Sequence, residues 1–249
     1  MTTDRASIII DAASVIKRKG KFFRRAIKVT QKQERQQNII ETASQLFAQG
    51  SYQMVTLEAV AEKVGVARGT LYLYFKTREE LFMALLEQTY RAWATDVTSG
   101  LEELLTHTDH RPSIIQVTQL LSESLLKHWT ATRLVALLPS VLEHNVEFEA
   151  ALRFKQMLLT QGAKVTALLH EALPFLSPKQ AGQLLPRITV LIVGLLPHTE
   201  PSPVLREVLT QPGMEVFHMN FQQEFNELLC SLLYGLQRQS ELKSQAATP

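Results

Sequence analysis

Apolar residues recur at helical spacing along most of the chain, without the alternation of a β-strand. Near residue 40 they fall at i, i+1, i+4, i+7 and i+8, which is one face of a helix of about residues 31–49. Gly50 follows as a left-handed stop. Further apolar helical segments are predicted near 112–129, 131–143, 145–173, 178–196 and 213–238. The pattern therefore predicts an all-α protein.

Two short helices are predicted directly after the first one. Thr56 is a suitable N-cap for a helix of about eight residues, and Gly65 ends it. The next segment, 67–75, is too short to be stable unless it packs on its neighbours. Thr77 and Glu80 then form a capping-box pattern before a longer helix. Two short helices joined by a glycine-containing turn, with a longer helix on each side, predict a helix-turn-helix motif.

Proline divides the chain, because all ten prolines lie at or after Pro112. The early helices can therefore run uninterrupted, whereas the later part must be punctuated, and Pro139 and Pro186 are expected to kink or split their helices. The predicted parts are a basic N-terminal extension at 1–30, a helix-turn-helix domain at 31–78, a helical domain at 79–240 and a frayed tail at 241–249.

The formal net charge of +2 conceals an asymmetry along the chain. Residues 1–35 hold ten basic and three acidic side chains, and the chain after Asp96 has more acidic than basic ones. A basic block is typical of a protein that binds a polyanion, usually nucleic acid, although a basic solvated tail is the alternative. The candidate DNA-binding arm, which would follow the phosphate backbone or enter a minor groove, is Lys17, Arg18, Lys19, Lys21, Arg24, Arg25 and Lys28.

Composition excludes several other classes. Cys230 is the only cysteine, so an intrachain disulfide and four-Cys or Cys2His2 zinc sites are excluded. The longest apolar run, 188–196, is nine residues, and a membrane span needs about twenty. No nucleophile elbow, HExxH, P-loop or GxGxxG sequence occurs, so we expect no enzyme. A cytoplasmic protein without metal, cofactor or membrane partner is the expectation.

The helix-turn-helix stretch carries a more specific pattern than spacing alone. Its residues, in order, are Ile39, Ile40, Ala43, Leu46, Phe47, Gly50, Thr56, Leu57, Val60, Ala61, Val64, Gly65, Val66, Gly69, Thr70, Leu71, Tyr72, Tyr74, Phe75, Glu80 and Leu81. This stretch, about 35–90, resembles the TetR family of repressors. The resemblance implies a three-helix DNA-binding domain followed by a helical domain for ligand binding and dimerisation. Ala67 departs from it, because Ser is common there and could cap the next helix.

By this resemblance, the segment from Ala67 enters the major groove. Arg68 would bond guanine O6 and N7, which is worth about 1–3 kcal/mol of discrimination. Thr56 and Arg78 would clamp the phosphate backbone. For Tyr74, surface packing is the alternative to a DNA contact. The implied DNA-contacting set is Thr56, Arg68, Gly69, Thr70, Tyr72, Leu73, Tyr74 and Arg78.

The second domain offers a predicted ligand pocket and a predicted dimer interface. The pocket set, each member of which could instead be plain core, is Trp93, Trp129, Arg133, Leu137, Phe148, Met157 and His170. Arg133 would either exit to solvent or meet a carboxylate from protein or ligand. The interface set, on the last two apolar helices, is Leu184, Ile188, Leu191, Ile192, Leu195, Phe221, Phe225, Leu228 and Leu232.

These expectations combine into one functional hypothesis. The chain would be a homodimeric, sequence-specific repressor that binds double-stranded operator DNA and is released by a small lipophilic ligand. A ligand-responsive activator and a ligand-independent architectural DNA-binding protein of the same fold are the alternatives.

Overall fold

The structure, a computed structural model, describes residues 30–106, 110–144 and 146–246. Within these ranges every regular element is helical and no strand occurs, which confirms the all-α fold. The chain divides after Lys76 into two compact units, which we call the small unit and the large unit. The basic residues predicted as a DNA arm, Lys17 to Lys28, lie outside the described residues.

In the small unit, the described residues from 30 onward form three helices and one turn. They are α1, described from residue 30 to its end at residue 49, a 3-10 turn at Tyr52–Met54, α2 at Leu57–Val64 and α3 at Arg68–Tyr72. Side chains from all three helices form its core, including Ile39, Phe47, Val60 and Leu71. The helix-turn-helix arrangement is as predicted, although α3 has five residues where the pattern extended from 67 to 75.

The ends of α2 follow the expected local chemistry. Thr56 Oγ1 accepts a hydrogen bond from the Ala59 N–H at 3.1 Å, and Gly65 ends the helix at φ 77°, where glycine is favoured. Ala67 gives α3 no side-chain cap, as expected. Gly50 differs from the prediction, because α1 ends there without a positive φ.

The described residues of the large unit form seven helices. They are α4 at Arg78–Thr106, α5 at Ile114–Lys127, α6 at Trp129–Leu137 with a π turn at Leu138–Leu142, α7 at Phe148–Ala172, α8 at Pro178–Thr199, α9 at Pro203–Leu209 and α10 at Phe221–Ala246. α4 packs along α7 and α5, and α8 packs against α6, α7 and α10. Trp93, Leu121, Leu169, Leu184 and Phe225 lie in the shared core.

The last helix differs from its predicted position at both ends. It begins at Phe221 and not near residue 213, because Gly213 turns the chain at φ 86° and Asn220 Oδ1 accepts a hydrogen bond from the Gln223 N–H at 3.0 Å. It continues to Ala246, so the expectation of a frayed tail from residue 241 was wrong for the described part.

Two features of α8 also differ from expectation, namely the effect of its internal proline and the length of its apolar sequence. Pro186 lies inside α8 without splitting it. By length and composition α8 could cross a membrane, which the nine-residue apolar run did not indicate. In this fold, six of its side chains are buried and the helix packs against three neighbours in the large unit.

Candidate nucleic-acid interface

The α3 helix presents several of the predicted DNA-contacting side chains on its outer face. Leu71 is fully buried and Phe75 nearly so, and these two side chains fix the helix on the small-unit core. The Arg68 side chain is 63% exposed and Leu73 is 77% exposed. An exposed leucine of this kind has no role in the core of its own unit.

Arg68 is held in place by two neighbours. Its Nη2 atom lies 2.5 Å from Glu58 Oε1 and donates a hydrogen bond to the Tyr72 hydroxyl at 3.2 Å. The guanidinium carbon also lies 5.6 Å from the centroid of the Tyr72 ring. Because exposed ion pairs contribute little net stability, a guanine edge can replace the Glu58 carboxylate. Arg68 is therefore oriented but available.

Glu58 is a neighbour of Arg68 that the sequence did not indicate. It lies in the first turn of α2, where the helix dipole favours an acidic side chain. A hydrogen bond from its own backbone N–H lowers the pKa of Glu58 below its ordinary value, and the charge of Arg68 lowers it further. Ten residues separate the two side chains, so no helical spacing connects them. The turn between α2 and α3 brings them together.

Gly69 is not required by the described fold, whereas Thr56 caps a helix. A Cβ built at Gly69 would meet nothing within 4 Å, so the fold of this chain does not require glycine there. The open position leaves room for an outside partner to approach the backbone closely. Thr56 is used as the N-cap of α2, which places its hydroxyl at the start of that helix.

A surface cavity of about 490 Å³ lies between α1 and the end of α3. We call it the α1–α3 groove, and its lining is Gln31, Lys32, Arg35, Thr70, Leu73 and Tyr74. Lys32 Nζ lies 6.0 Å from the centroid of the Tyr74 ring. Lys32 and Arg35 were counted in the basic block of the sequence, but their spacing gave no link to Tyr74.

Arg78 is the first residue of α4 and belongs to the large unit. Its Nη2 atom lies 3.8 Å from Glu79 Oε1. Just before it, Thr77 Oγ1 accepts a hydrogen bond from the Glu80 N–H at 3.1 Å, which is the predicted cap. The contact of Arg78 with DNA stays a prediction.

Three residues of the predicted ligand pocket are bound to other groups of the protein. Trp93 Nε1 donates to Ser124 Oγ at 3.1 Å. Trp129 Nε1 donates to Glu200 Oε1 at 3.1 Å, and Arg133 Nε lies 3.3 Å from Glu200 Oε2. The carboxylate expected opposite Arg133 is therefore supplied by the protein itself.

The remaining predicted pocket residues lie in different surroundings. Phe148 is 75% exposed at the start of α7, so its expected place in the interior was wrong. Met157 is buried, and Leu137 is half-buried. His170 lines a separate surface cavity of about 520 Å³ near the start of α8. The predicted set does not meet at one place.

Tyr90 is a second residue that the sequence did not indicate. Its ring centroid lies 5.2 Å from that of Trp93, and a Cβ built at Gly162 on α7 would lie 3.4 Å from its hydroxyl. Burial raises the pKa of Tyr90 to about 12. The hydroxyl is therefore protonated at neutral pH and can donate a hydrogen bond inside the large unit.

Most of the predicted dimer-interface residues are buried within one chain. The six that lie in the core of the chain are Leu184, Ile188, Ile192, Leu195, Phe221 and Phe225. Leu191 and Leu232 are half-buried, and Leu228 is 43% exposed. A helical apolar stripe marks a buried face, but it does not say whether the chain itself or a partner covers that face.

A different face of α8 points outward. It carries residues at four-residue spacing, Gly182, Pro186, Val190 and Gly194, all of which are exposed. A Cβ built at either glycine would meet nothing within 4 Å. The outward face of α8 is therefore smooth and weakly polar.

Comparison with known families matches both units. Residues 39–85 match the family described as bacterial regulatory proteins, tetR family. Residues 87–240 match the family described as tetracyclin repressor-like, C-terminal domain. The second match alone covers more than half of the chain.

Individual relatives match more limited stretches. The HTH-type transcriptional regulator YfiR of Bacillus subtilis is 32% identical over 92 residues, which are 37% of this chain and 42% of that protein. The fatty acid metabolism regulator protein of Bacillus subtilis is 29% identical over 76 residues, or 30% of this chain and 39% of that protein. The matched part thus spans about two fifths of these curated relatives.

Among solved structures, one described as a TetR-family transcriptional regulator from Syntrophomonas wolfei superposes with a TM-score of 0.50. The two sequences are 17% identical, and the match covers 83% of this chain and 96% of that one. This likeness concerns the fold.

Proposed function

Because the chain belongs to the TetR family of bacterial transcriptional regulators, we propose that it is a homodimeric, sequence-specific repressor that acts in the cytoplasm and responds to a small lipophilic ligand. Members of this family are generally repressors. The observation that carries the proposal is Arg68, which is exposed on α3 and oriented by Glu58 and Tyr72. A guanidinium held in this way suits bidentate contact with a guanine edge.

Selection of bound duplexes from a random pool tests the DNA-binding part of the proposal. We expect enrichment of a two-fold related sequence with a guanine in each half-site, because two copies of α3 would read half-sites about 34–36 Å apart. Equal binding of all sequences would support the architectural alternative. Absence of any duplex binding would overturn the proposal.

The repressor and activator alternatives need a separate measurement. With the selected operator placed across a promoter, transcription in a purified system should fall when the protein is added. An increase in transcript would favour the activator. The variant Arg68→Ala serves as the control, because it should lose the effect in either case.

Dimerisation through the outward faces of α8 and α10 is the second part of the proposal. Glycine inside a helix costs about 0.5–1 kcal/mol relative to alanine, and the fold of one chain does not need it at Gly182 or Gly194. A close approach by a second helix would explain both positions. Leu228 and Gly235 on the exposed side of α10 extend the same kind of surface.

Light scattering after size exclusion tests this face. Wild type should elute at twice the chain mass of 28.1 kDa, and Gly194→Leu should shift the population toward a single chain. Ala163→Leu, which also adds an exposed leucine to a long helix, should leave the dimer intact. A dimer that tolerates Gly194→Leu would contradict this face as the interface.

The effector is proposed to enter the apolar interior of the large unit beside Tyr90 and Trp93. The Tyr90 hydroxyl could donate to a polar group of an otherwise lipophilic ligand. Fatty acids are suitable first probes, because one relative is named as a fatty acid metabolism regulator.

Thermodynamic linkage provides the test of induction. A fatty acid that weakens operator binding must itself bind less tightly, by the same factor, when operator is saturating. Tyr90→Phe should reduce the affinity for a ligand with a polar head group while leaving operator binding unchanged. Ligand affinity that does not change on addition of operator would end the induction hypothesis.

A further inference from the structure

The α1–α3 groove lies in the same small unit as Arg68 and has an unusual lining. It combines two cations of α1 with two hydroxyl groups, those of Thr70 and Tyr74, near the end of α3. No acidic side chain belongs to its described lining. This set of donors suits an anion.

The two cations are placed to act together. Lys32 and Arg35 are three residues apart on α1, so their Cβ atoms are about 5–6 Å apart on one side of the helix. Both side chains are exposed, and neither forms an ion pair with a described acidic residue. Their charge is therefore not neutralised within the described part of the chain, and a phosphate between them would receive bonds from both.

Tyr74 fixes the position of one of these cations. Lys32 Nζ lies 6.0 Å from the Tyr74 ring centroid, at the limit of a cation–π contact. Tyr74 is itself half-buried and directly precedes the buried Phe75, which anchors this end of the segment. The aromatic ring thus offers a fixed surface for a long and flexible lysine side chain.

We propose that the α1–α3 groove binds a phosphate of the operator backbone through Lys32 and Arg35, with Tyr74 as the positioning residue for Lys32. The inference rests on the proposed DNA-binding function and extends the interface from the helix-turn-helix to the first helix. A phosphate contact fixes the register of the protein on the duplex but does not read bases. The groove therefore fixes the register of the protein on the duplex, and Arg68 contacts the bases.

The test measures how affinity depends on salt, with the full chain, the selected operator and an unrelated duplex of equal length. Lys32→Ala and Arg35→Ala should each flatten the slope of log K against log salt by about 0.9 per lost contact, or about 1.8 for a dimer changed in both copies. The flattening should be the same on both duplexes, and the selected base sequence should not change. Lys32→Arg should restore the wild-type slope.

Control variants separate this contact from a general loss of charge. Lys164→Ala removes an exposed lysine of α7 that is paired with Glu102 at 2.8 Å, and it should leave the slope unchanged. Tyr74→Leu removes the ring and should behave like Lys32→Ala, whereas Tyr74→Phe keeps the ring, removes only the hydroxyl and should lose less. Equal losses in Tyr74→Phe and Tyr74→Leu would show that the hydroxyl binds DNA and would overturn the positioning role.

Two results would overturn the groove itself. One is operator binding whose salt slope is unaffected by Lys32→Ala and Arg35→Ala in folded protein, as judged by the unfolding midpoint. The other is a change in base preference, which would mean that these side chains read bases. Failure of wild type to select any operator would instead overturn the proposed function on which the groove depends.

Discussion

The two units of this chain differ in how far their polar side chains are exposed. In the small unit, the side chains of Arg68 and Lys32 are exposed, and each lies near a neighbouring tyrosine ring. In the large unit, Trp93 is buried and the Arg133 side chain is only 19% exposed, and both bond to other groups of the same chain. The exposed polar groups of the small unit are therefore the basis of the proposed contact surface.

Replacement of a core aromatic gives the largest effect and tests the large unit. Phe225 is fully buried, so Phe225→Ala should lower the free energy of unfolding by about 3–5 kcal/mol, because it removes packing and leaves a cavity. Denaturant unfolding measures this loss at several protein concentrations. Leu228→Ala, at a position 43% exposed on the same helix, should cost far less stability.

The variants Phe225→Ala and Leu228→Ala also distinguish a core position from an interface position. If Phe225 acted mainly between two chains, the loss would shrink at low protein concentration, where both wild type and variant are single chains. A loss that depends on concentration for Phe225→Ala and is absent for Leu228→Ala would refute our division of α10 into inner and outer faces.

Arg68→Ala gives the next largest effect and tests the small unit. We expect a loss of about 1–3 kcal/mol of base discrimination per half-site, because a bidentate contact is removed. The stability of the protein should hardly change, since the Glu58–Arg68 pair is exposed. Selection from a random pool reports the loss as a relaxed preference at one position in each half-site. An unchanged selected sequence would contradict the role of Arg68.

Two helix caps of the same chemical type compare the units directly. Thr56 caps α2 in the small unit, and Ser113 caps α5 in the large unit through a complete capping box. Replacement of either residue by alanine should cost about 1 kcal/mol of stability. Only Thr56→Ala should also weaken DNA binding, as measured with the selected operator. Equal effects of the two variants on DNA binding would remove the predicted contact of Thr56.

The smallest effect concerns an ion pair of the large unit. Hydrogen bonds from Lys127, at 2.7 Å, and from His128 lower the pKa of Asp96 below its ordinary value of 3.8. A lowered folded-state pKa means that the stabilisation is present above that ordinary value and is lost as pH falls through the folded-state pKa. Asp96→Asn should therefore cost less than about 1 kcal/mol near neutral pH. Urea unfolding near neutral and at strongly acidic pH should show the difference vanish in acid.

Prediction from sequence succeeded where local chemistry decides the structure. Thr56 and Gly65, which begin and end α2, follow from capping and turn preferences that involve neighbours in the chain. Six of the nine predicted interface residues of α8 and α10 lie in the core of one chain, because helical periodicity is the same for a core face and for a partner face. The partners of Arg68 and Arg133 were missed because Glu58 and Glu200 are not at helical spacing from them.

The amino-acid sequence by itself determined the all-helical fold, the helix-turn-helix and its exposed Arg68, because each depends on propensity, capping and period within a few residues. The tertiary structure decided which apolar face of α8 lies inside, which carboxylate meets each arginine, and that Lys32 of α1 meets Tyr74 beyond α3. These pairings depend on how helices cross in space. Residues far apart in sequence become neighbours only when the core has packed.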